Sequence, residues 1–105
     1  MDYVLIVCTA PPAQAPALAR ALLDQRLIAC ATIVSSRSLF CWQGAVEEEE
    51  EALLVIKSRA DRWDSIREAL CRLHPYDTPE IIALPVVQGL PAYLAWIDEV
   101  VADGQ

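Results

Sequence analysis

Residues 28–58 read IACATIVSSRSLFCWQGAVEEEEEALLVIKS, and the fold turns on this stretch. Ile28 to Trp42 is rich in β-branched and aromatic residues, Gln43-Gly44 is a turn signal, and Val46 to Ser58 returns as a second strand. The pattern predicts a hairpin. At a rise of about 3.3 Å per residue, its first arm reaches about 50 Å. The other early strand candidate, Tyr3 to Cys8, is less than half as long. A hairpin that outgrows its own sheet leaves backbone edges unpaired, which is a liability unless something covers them. A neighbouring subunit is the natural cover. Phe40 and Trp42 sit near the tip, where a lone protomer would expose them, and large exposed aromatics mark interfaces.

Working outward from the hairpin, Tyr3–Cys8 (YVLIVC) is apolar on both faces and reads as a central strand. Pro11 and Pro12 open a helix, proline being tolerated in a first turn, with Ala17, Leu18, Ala21 and Leu22 as its apolar stripe. After the hairpin, Asp61 reads as an N-cap with Asp64 three residues on. Trp63, Ile66, Leu70 and Leu73 then mark one helical face, and His74-Pro75 stops that helix. Ile81–Val87 is a further strand. Gly89 and Pro91 begin a last helix with Leu90, Leu94, Ile97 and Val101 on one side, and Asp103, Gly104 and Gln105 fray. The order is β-α-β-β-α-β plus a C-terminal helix: an α+β, ferredoxin-like sandwich with an extended hairpin. Such a sheet has strand order 4-1-3-2. The expected directions are first and third strands parallel, second and fourth running against them.

The chain has 105 residues, 55% of them hydrophobic, enough for one domain with a core of its own spanning residues 1–105. A domain of this size still gains from extra burial by oligomerisation. Its formal charge is −7, and removing the five acids of Glu47–Glu51 leaves −2, so the acidity is local. No basic stripe is present for a phosphate backbone or an anionic bilayer, which argues against nucleic-acid and membrane partners. Four cysteines occur with no CxxC pair. The start lacks the basic and long apolar segments of a signal peptide, and no apolar run approaches about 20 residues. The expectation is a cytoplasmic protein with reduced thiols.

The expected strand directions bring six chemistry-bearing residues to one rim of the sheet: Cys8, Cys30, Lys57, His74, Tyr76 and Glu80. Thiolate and imidazole suit copper or zinc, so Cys8 and His74 are the candidate metal ligands. Two ligands do not close a site. The plainer reading makes Cys8 a buried small hydrophobe and His74 a helix stop. Cys30 is a third sulfur for the rim or core packing, and Cys71 packs on its helix. Lys57, Tyr76 and Glu80 are the remaining candidates. Alternate glutamates of the acidic run point to opposite faces, so Glu47–Glu51 reads as a solvated hairpin tip, with Arg37 opposite Glu50 as a cross-strand ion pair. Trp63 and Trp96 lie on helical stripes. No nucleophile–base–orienter set is legible, and no GxSxG or HExxH occurs, so the chain does not read as an enzyme.

Five collinear segments carry a family resemblance: VLIVCTAP at Val4–Pro11, LIACATI at Leu27–Ile33, LFCWQG at Leu39–Gly44, HPYDTPEIIALPV at His74–Val86, and YLAWI at Tyr93–Ile97. Together they span nearly the whole chain, which resembles the CutA divalent-cation tolerance family. The resemblance implies a homotrimer of ferredoxin-like protomers, an association with tolerance to copper and other divalent cations, and no established catalytic activity. The family member linked to copper has a cysteine matching Cys8 and two successive histidines before its PY motif. His74 matches the second, and Leu73 stands at the first, so copper binding here is expected to be weak or adventitious. The family's intersubunit clefts are similar to those of the PII signalling trimers, which gives the alternative: a trimer binding a small molecule or anion between subunits. With only three glycines, a glycine-rich phosphate cradle is lacking.

Overall fold

The computed structural model describes residues 2–101. Its elements are β1 (Tyr3–Ala10), α1 (Ala15–Asp24), β2 (Cys30–Trp42), β3 (Ala45–Arg59), a 3-10 turn (Ala60–Arg62), α2 (Trp63–Leu73), β4 (Ile81–Pro85) and α3 (Pro91–Val100). The reversal between β2 and β3 is made by Gln43 (φ 50°) and Gly44 (φ 84°). Two positive φ angles in a two-residue loop match the twist of the flanking strands. A Cβ added to Gly44 would touch nothing within 4 Å, so the backbone conformation, not space, is what favours glycine there.

The sheet order is β2-β3-β1-β4, as the sequence leads one to expect. The strand directions are not: β1 is antiparallel to β3 and to β4, and β2 is antiparallel to β3. The reason is geometric. A helix carries the chain back to the end where the previous strand began, so β1 and β2 run the same way. The hairpin then reverses β3, and α2 returns the chain so that β4 follows β3. The end of β1 therefore meets the start of β4, with Cys8 opposite Ile81, while Cys30 pairs with Lys57 near the start of β1. The expected single rim is split between two opposite ends.

Side-chain alternation sorts the sheet into two faces. Ile6, Cys8, Ala10, Leu54 and Ile56 pack on Leu18, Leu22, Ile66 and Leu70 of α1 and α2. Leu5, Val7, Leu53, Val55, Val34, Ile82 and Leu84 share the other face by register. There α3 covers one end only, with Ile97 and Val101 on Ala29 and Tyr3. Tyr3 donates to Asp98 at 2.6 Å, and the buried Arg59 bridges Asp98 and Asp61. Val34, Ile82 and Leu84 remain exposed.

β1 reaches along β3 only to Ala52. The segment from Ala45 to Glu51 thus has β2 on one side and no strand on the other among the described residues, and the protomer is drawn out to 44 × 27 × 21 Å. Phe40 and Trp42 on this projection are exposed.

Local readings shift at the helix starts. Pro11 and Pro12 lie in the turn before α1, whose first turn holds Pro16, and the buried stripe is Ala15, Leu18, Ala19 and Leu22. Asp61 caps nothing: it sits in the 3-10 turn, drawn to the Arg59 guanidinium at 3.0 Å. α2 ends at Leu73 as expected, but Leu73 is exposed rather than on the core stripe. β4 stops at Pro85, two residues short of Val87. Asp103, Gly104 and Gln105 lie outside the described residues.

Candidate functional site

At the end of β1 the chain leaves α2 through His74, whose extended backbone (ψ 138°) ends the helix ahead of Pro75. His74 is buried, and both ring nitrogens are engaged. Nδ1 lies 3.1 Å from the Tyr76 backbone N–H, and Nε2 lies 2.8 Å from the Thr9 carbonyl. An amide N–H only donates and a carbonyl only accepts, so the ring proton sits on Nε2. The ring of Tyr76 packs at 4.8 Å from that of His74, and its hydroxyl donates to Glu51 Oε2 at 2.9 Å. Burial and then Glu51 push the Tyr76 hydroxyl up to about 12.

Glu51 is the residue that sequence reasoning missed. Glu47 to Glu50 are exposed, as a solvated tip should be, but Glu51 is buried, with 7% of its surface accessible. Its place beside Ala52, where β1 begins to pair, is the signal that separates it from the other four. Its backbone carbonyl accepts from Ser36 at 2.8 Å. A cleft of about 580 Å³ opens alongside, lined by Pro12, Ser35, Ser36, Arg37, Glu50, Glu51 and Ala52. Two carboxylates against one guanidinium make this a poor seat for an anion. Arg37 is in register with Glu50 as expected, but its guanidinium bonds Glu48, at 3.2 Å.

Cys8 lies at this end too, on the helix-facing side and inaccessible to solvent. Its sulfur is 3.7 Å from the Thr9 carbonyl. Burial, then the charges of Glu80 and Glu51, push the thiol up to about 12. Glu80 is exposed and acts on Cys8 only through its charge. The fold therefore does bring Cys8 and His74 to one end, yet the thiol holds its proton and the imidazole has no free lone pair. No group of three or more His, Cys, Asp or Glu side chains that could hold a metal is present among the described residues. As it stands, the donor set of one protomer does not fit a closed copper site.

Cys30 and Lys57 occupy the opposite end. Lys57 Nζ lies 2.6 Å from Thr32 Oγ1 and 3.6 Å from Cys30 Sγ. Thr32 Oγ1 is itself 4.0 Å from that sulfur. The Tyr93 hydroxyl, from the first turn of α3, is near enough to Cys30 to be influenced by its charge, and its ring packs against Trp96 at 5.5 Å. Thr32 and Tyr93 were not among the expected site residues. They become visible only when β2, β3 and α3 are seen to meet.

An α+β sandwich of split βαβ topology, with a projecting hairpin and one sheet face left apolar, defines the class. The model of the CutA1 divalent ion tolerance protein family matches residues 4–100. A curated relative, the divalent-cation tolerance protein CutA of Pectobacterium atrosepticum, is 43% identical over 99 residues, covering 92% of this chain and 90% of its own. The CutA1 crystal structure from Oryza sativa superposes with a TM-score of 0.94 at 32% identity, covering 98% of this chain and 96% of that one. The periplasmic divalent cation tolerance protein CutA from Archaeoglobus fulgidus superposes with a TM-score of 0.92 at 36% identity, over 94% of this chain and 98% of that one. This chain belongs to the CutA1 divalent ion tolerance family. That family is named for tolerance, not for a reaction. No helix among the described residues is long and apolar enough to cross a membrane.

Proposed function

We propose that the chain works as a homotrimeric divalent-cation tolerance protein, with copper as its preferred metal. The observation that carries the assembly is the uncovered apolar face of the sheet continued into a hairpin whose inner edge, Ala45–Glu51, has no strand beside it. Neighbouring copies that pair with that edge and lie on that face remove both liabilities at once. Relatives named for divalent-cation tolerance support the cation reading. Copper suits a thiol and an imidazole better than the other divalent ions do. Binding at Cys8 and His74 requires removal of a firmly held thiol proton and release of His74 from Thr9, so the site is weak and tightens as pH rises. The free thiols of Cys8, Cys30, Cys41 and Cys71 suit a reducing compartment such as the cytoplasm.

Sedimentation equilibrium at low micromolar concentration should give three times the 11.6 kDa chain mass, and Trp42→Ala should shift the assembly toward smaller species by about 2 kcal/mol or more per anchor. A single-chain mass in the wild type would overturn the assembly. Copper titration of the reduced protein, wild type against Cys8→Ser and His74→Ala, tests the metal site. Equal affinity in all three would remove copper from this end of the sheet.

A further inference from the structure

The Cys30 end of the sheet carries chemistry that the assembly and cation readings leave unused. Two side chains meet the Cys30 sulfur, the Lys57 ammonium at 3.6 Å and the Thr32 hydroxyl at 4.0 Å, and the Tyr93 hydroxyl of α3 lies near enough to be influenced by its charge. Thr32 Oγ1 fixes the ammonium at 2.6 Å, so the cation does not swing away as a free surface lysine would. Cys30 is partly accessible, whereas Cys8 is closed off in the core. Cys41 and Cys71 are exposed, and among the described residues neither sulfur takes part in a hydrogen bond.

We infer that Cys30 is a peroxide-reactive thiol, with Lys57, Thr32 and Tyr93 as the groups that position and support it. A nucleophilic thiol needs positive charge and donors at the sulfur together with access for its reactant, and of the four cysteines Cys30 alone has both. The Tyr93 hydroxyl is raised above its ordinary range by burial and then by Cys30, so it keeps its proton beside the sulfur. In the reaction the Cys30 thiol gives its proton to water, and the thiolate so formed attacks one oxygen of a hydroperoxide. The S–O bond forms as the O–O bond breaks. The departing hydroxide or alkoxide takes a proton from the Lys57 ammonium, which recovers one from water. The net change is thiol plus hydroperoxide to sulfenic acid plus water or alcohol. Sulfur is oxidised by two electrons, the peroxide is reduced, and a small-molecule thiol restores the cysteine.

The test traps sulfenic acid in the folded protein with dimedone during treatment with sub-stoichiometric hydrogen peroxide. Trypsin cuts after Arg26 and Arg37, which isolates Cys30 from Cys41. The Cys30 adduct should exceed the Cys41 adduct by about tenfold, despite the greater exposure of Cys41. Lys57→Met should bring the two to parity, and Lys57→Arg should retain most of the excess. Cys8 serves as the internal marker of an intact core and should stay unlabelled. If Lys57→Met opens Cys8 to labelling, the comparison is read on Thr32→Val, which frees the ammonium and should cut the Cys30 excess severalfold. Equal labelling of Cys30 and Cys41 in the wild type overturns the inference. So does an undiminished Cys30 excess in a Lys57→Met or Thr32→Val protein with a closed core.

Discussion

The two ends of the sheet hold one cysteine each, Cys8 on β1 and Cys30 on the edge strand β2, and their surroundings oppose each other. At the Cys8 end the buried polar side chains are committed: His74 ties Thr9 to Tyr76, and Tyr76 ties back to Glu51. The thiol there is sealed and its proton is held up to about 12. At the Cys30 end the side chain is partly accessible and its sulfur faces a cation. The two thiols lie on opposite faces, as the odd offset of their positions in the register requires: Cys8 pairs with Leu54 of the core face, and Cys30 with Lys57 of the other. Burial therefore assigns structural work to one cysteine and leaves chemistry to the other.

The largest expected effect tests whether the Cys8 end is a structural lock. His74→Ala removes a buried ring, leaves the Tyr76 N–H without its acceptor and leaves the Thr9 carbonyl with only the weak Cys8 thiol donor, so it should cost about 2–4 kcal/mol. Urea unfolding of the variant measures it. A cost under about 0.5 kcal/mol, within the range of an ordinary surface change, would mean that the lock holds nothing and that the two ends do not differ in kind.

A smaller effect sharpens the same contrast through pH. The folded-state values of Cys8 and Tyr76 are raised from 9.0 and 10.0 to about 12. Between those limits the unfolded chain has released protons that the folded chain still holds, so stability is full below about pH 9 and falls as pH rises toward 12. Cys8→Ala removes one of the two groups. Between pH about 8 and about 11 the wild type should lose about 2 kcal/mol more than Cys8→Ala does. Parallel pH profiles would place Cys8 in a solvated setting like that of Cys30 and dissolve the distinction.

How far the sequence discloses all this depends on the range of the forces involved. The hairpin, its turn and the strand order are written in local patterns: alternation, the Gln43-Gly44 dipeptide, and the spacing of apolar stripes. Strand direction decides which end each residue occupies, and there the expectation of parallel first and third strands misplaced Cys30 and Lys57 beside Cys8. Following each helix back to the start of its strand would have separated them. Glu51 was hidden for another reason: five identical residues in a row look alike until β1 pairs alongside from Ala52 onward. The Thr32, Lys57 and Tyr93 cluster joins positions from β2, β3 and α3, and no short-range pattern connects Tyr93 to Cys30. Arg37 shows the finest grain, since register gave Glu50 but the side chain leans two residues along the strand to Glu48.

The smallest expected effect closes the comparison from the other side. Cys30 is partly exposed at the first position of an edge strand, and it is not part of either buried cluster. Replacing it with serine keeps a hydrogen-bonding atom near Lys57 and Tyr93 and leaves no cavity in the core. Water reaches any donor that serine fails to satisfy, so the desolvation penalty that punishes a broken buried network does not arise. Cys30→Ser should therefore change unfolding stability by no more than about 0.5 kcal/mol, while abolishing the dimedone adduct on that peptide. The same substitution at Cys8 places a hydroxyl in the sealed core beside Leu54 and Ile6, where about 1–3 kcal/mol is expected. A loss at Cys30→Ser equal to that at Cys8→Ser would show that both sulfurs serve packing, and the partition between a locked end and a reactive end would fall.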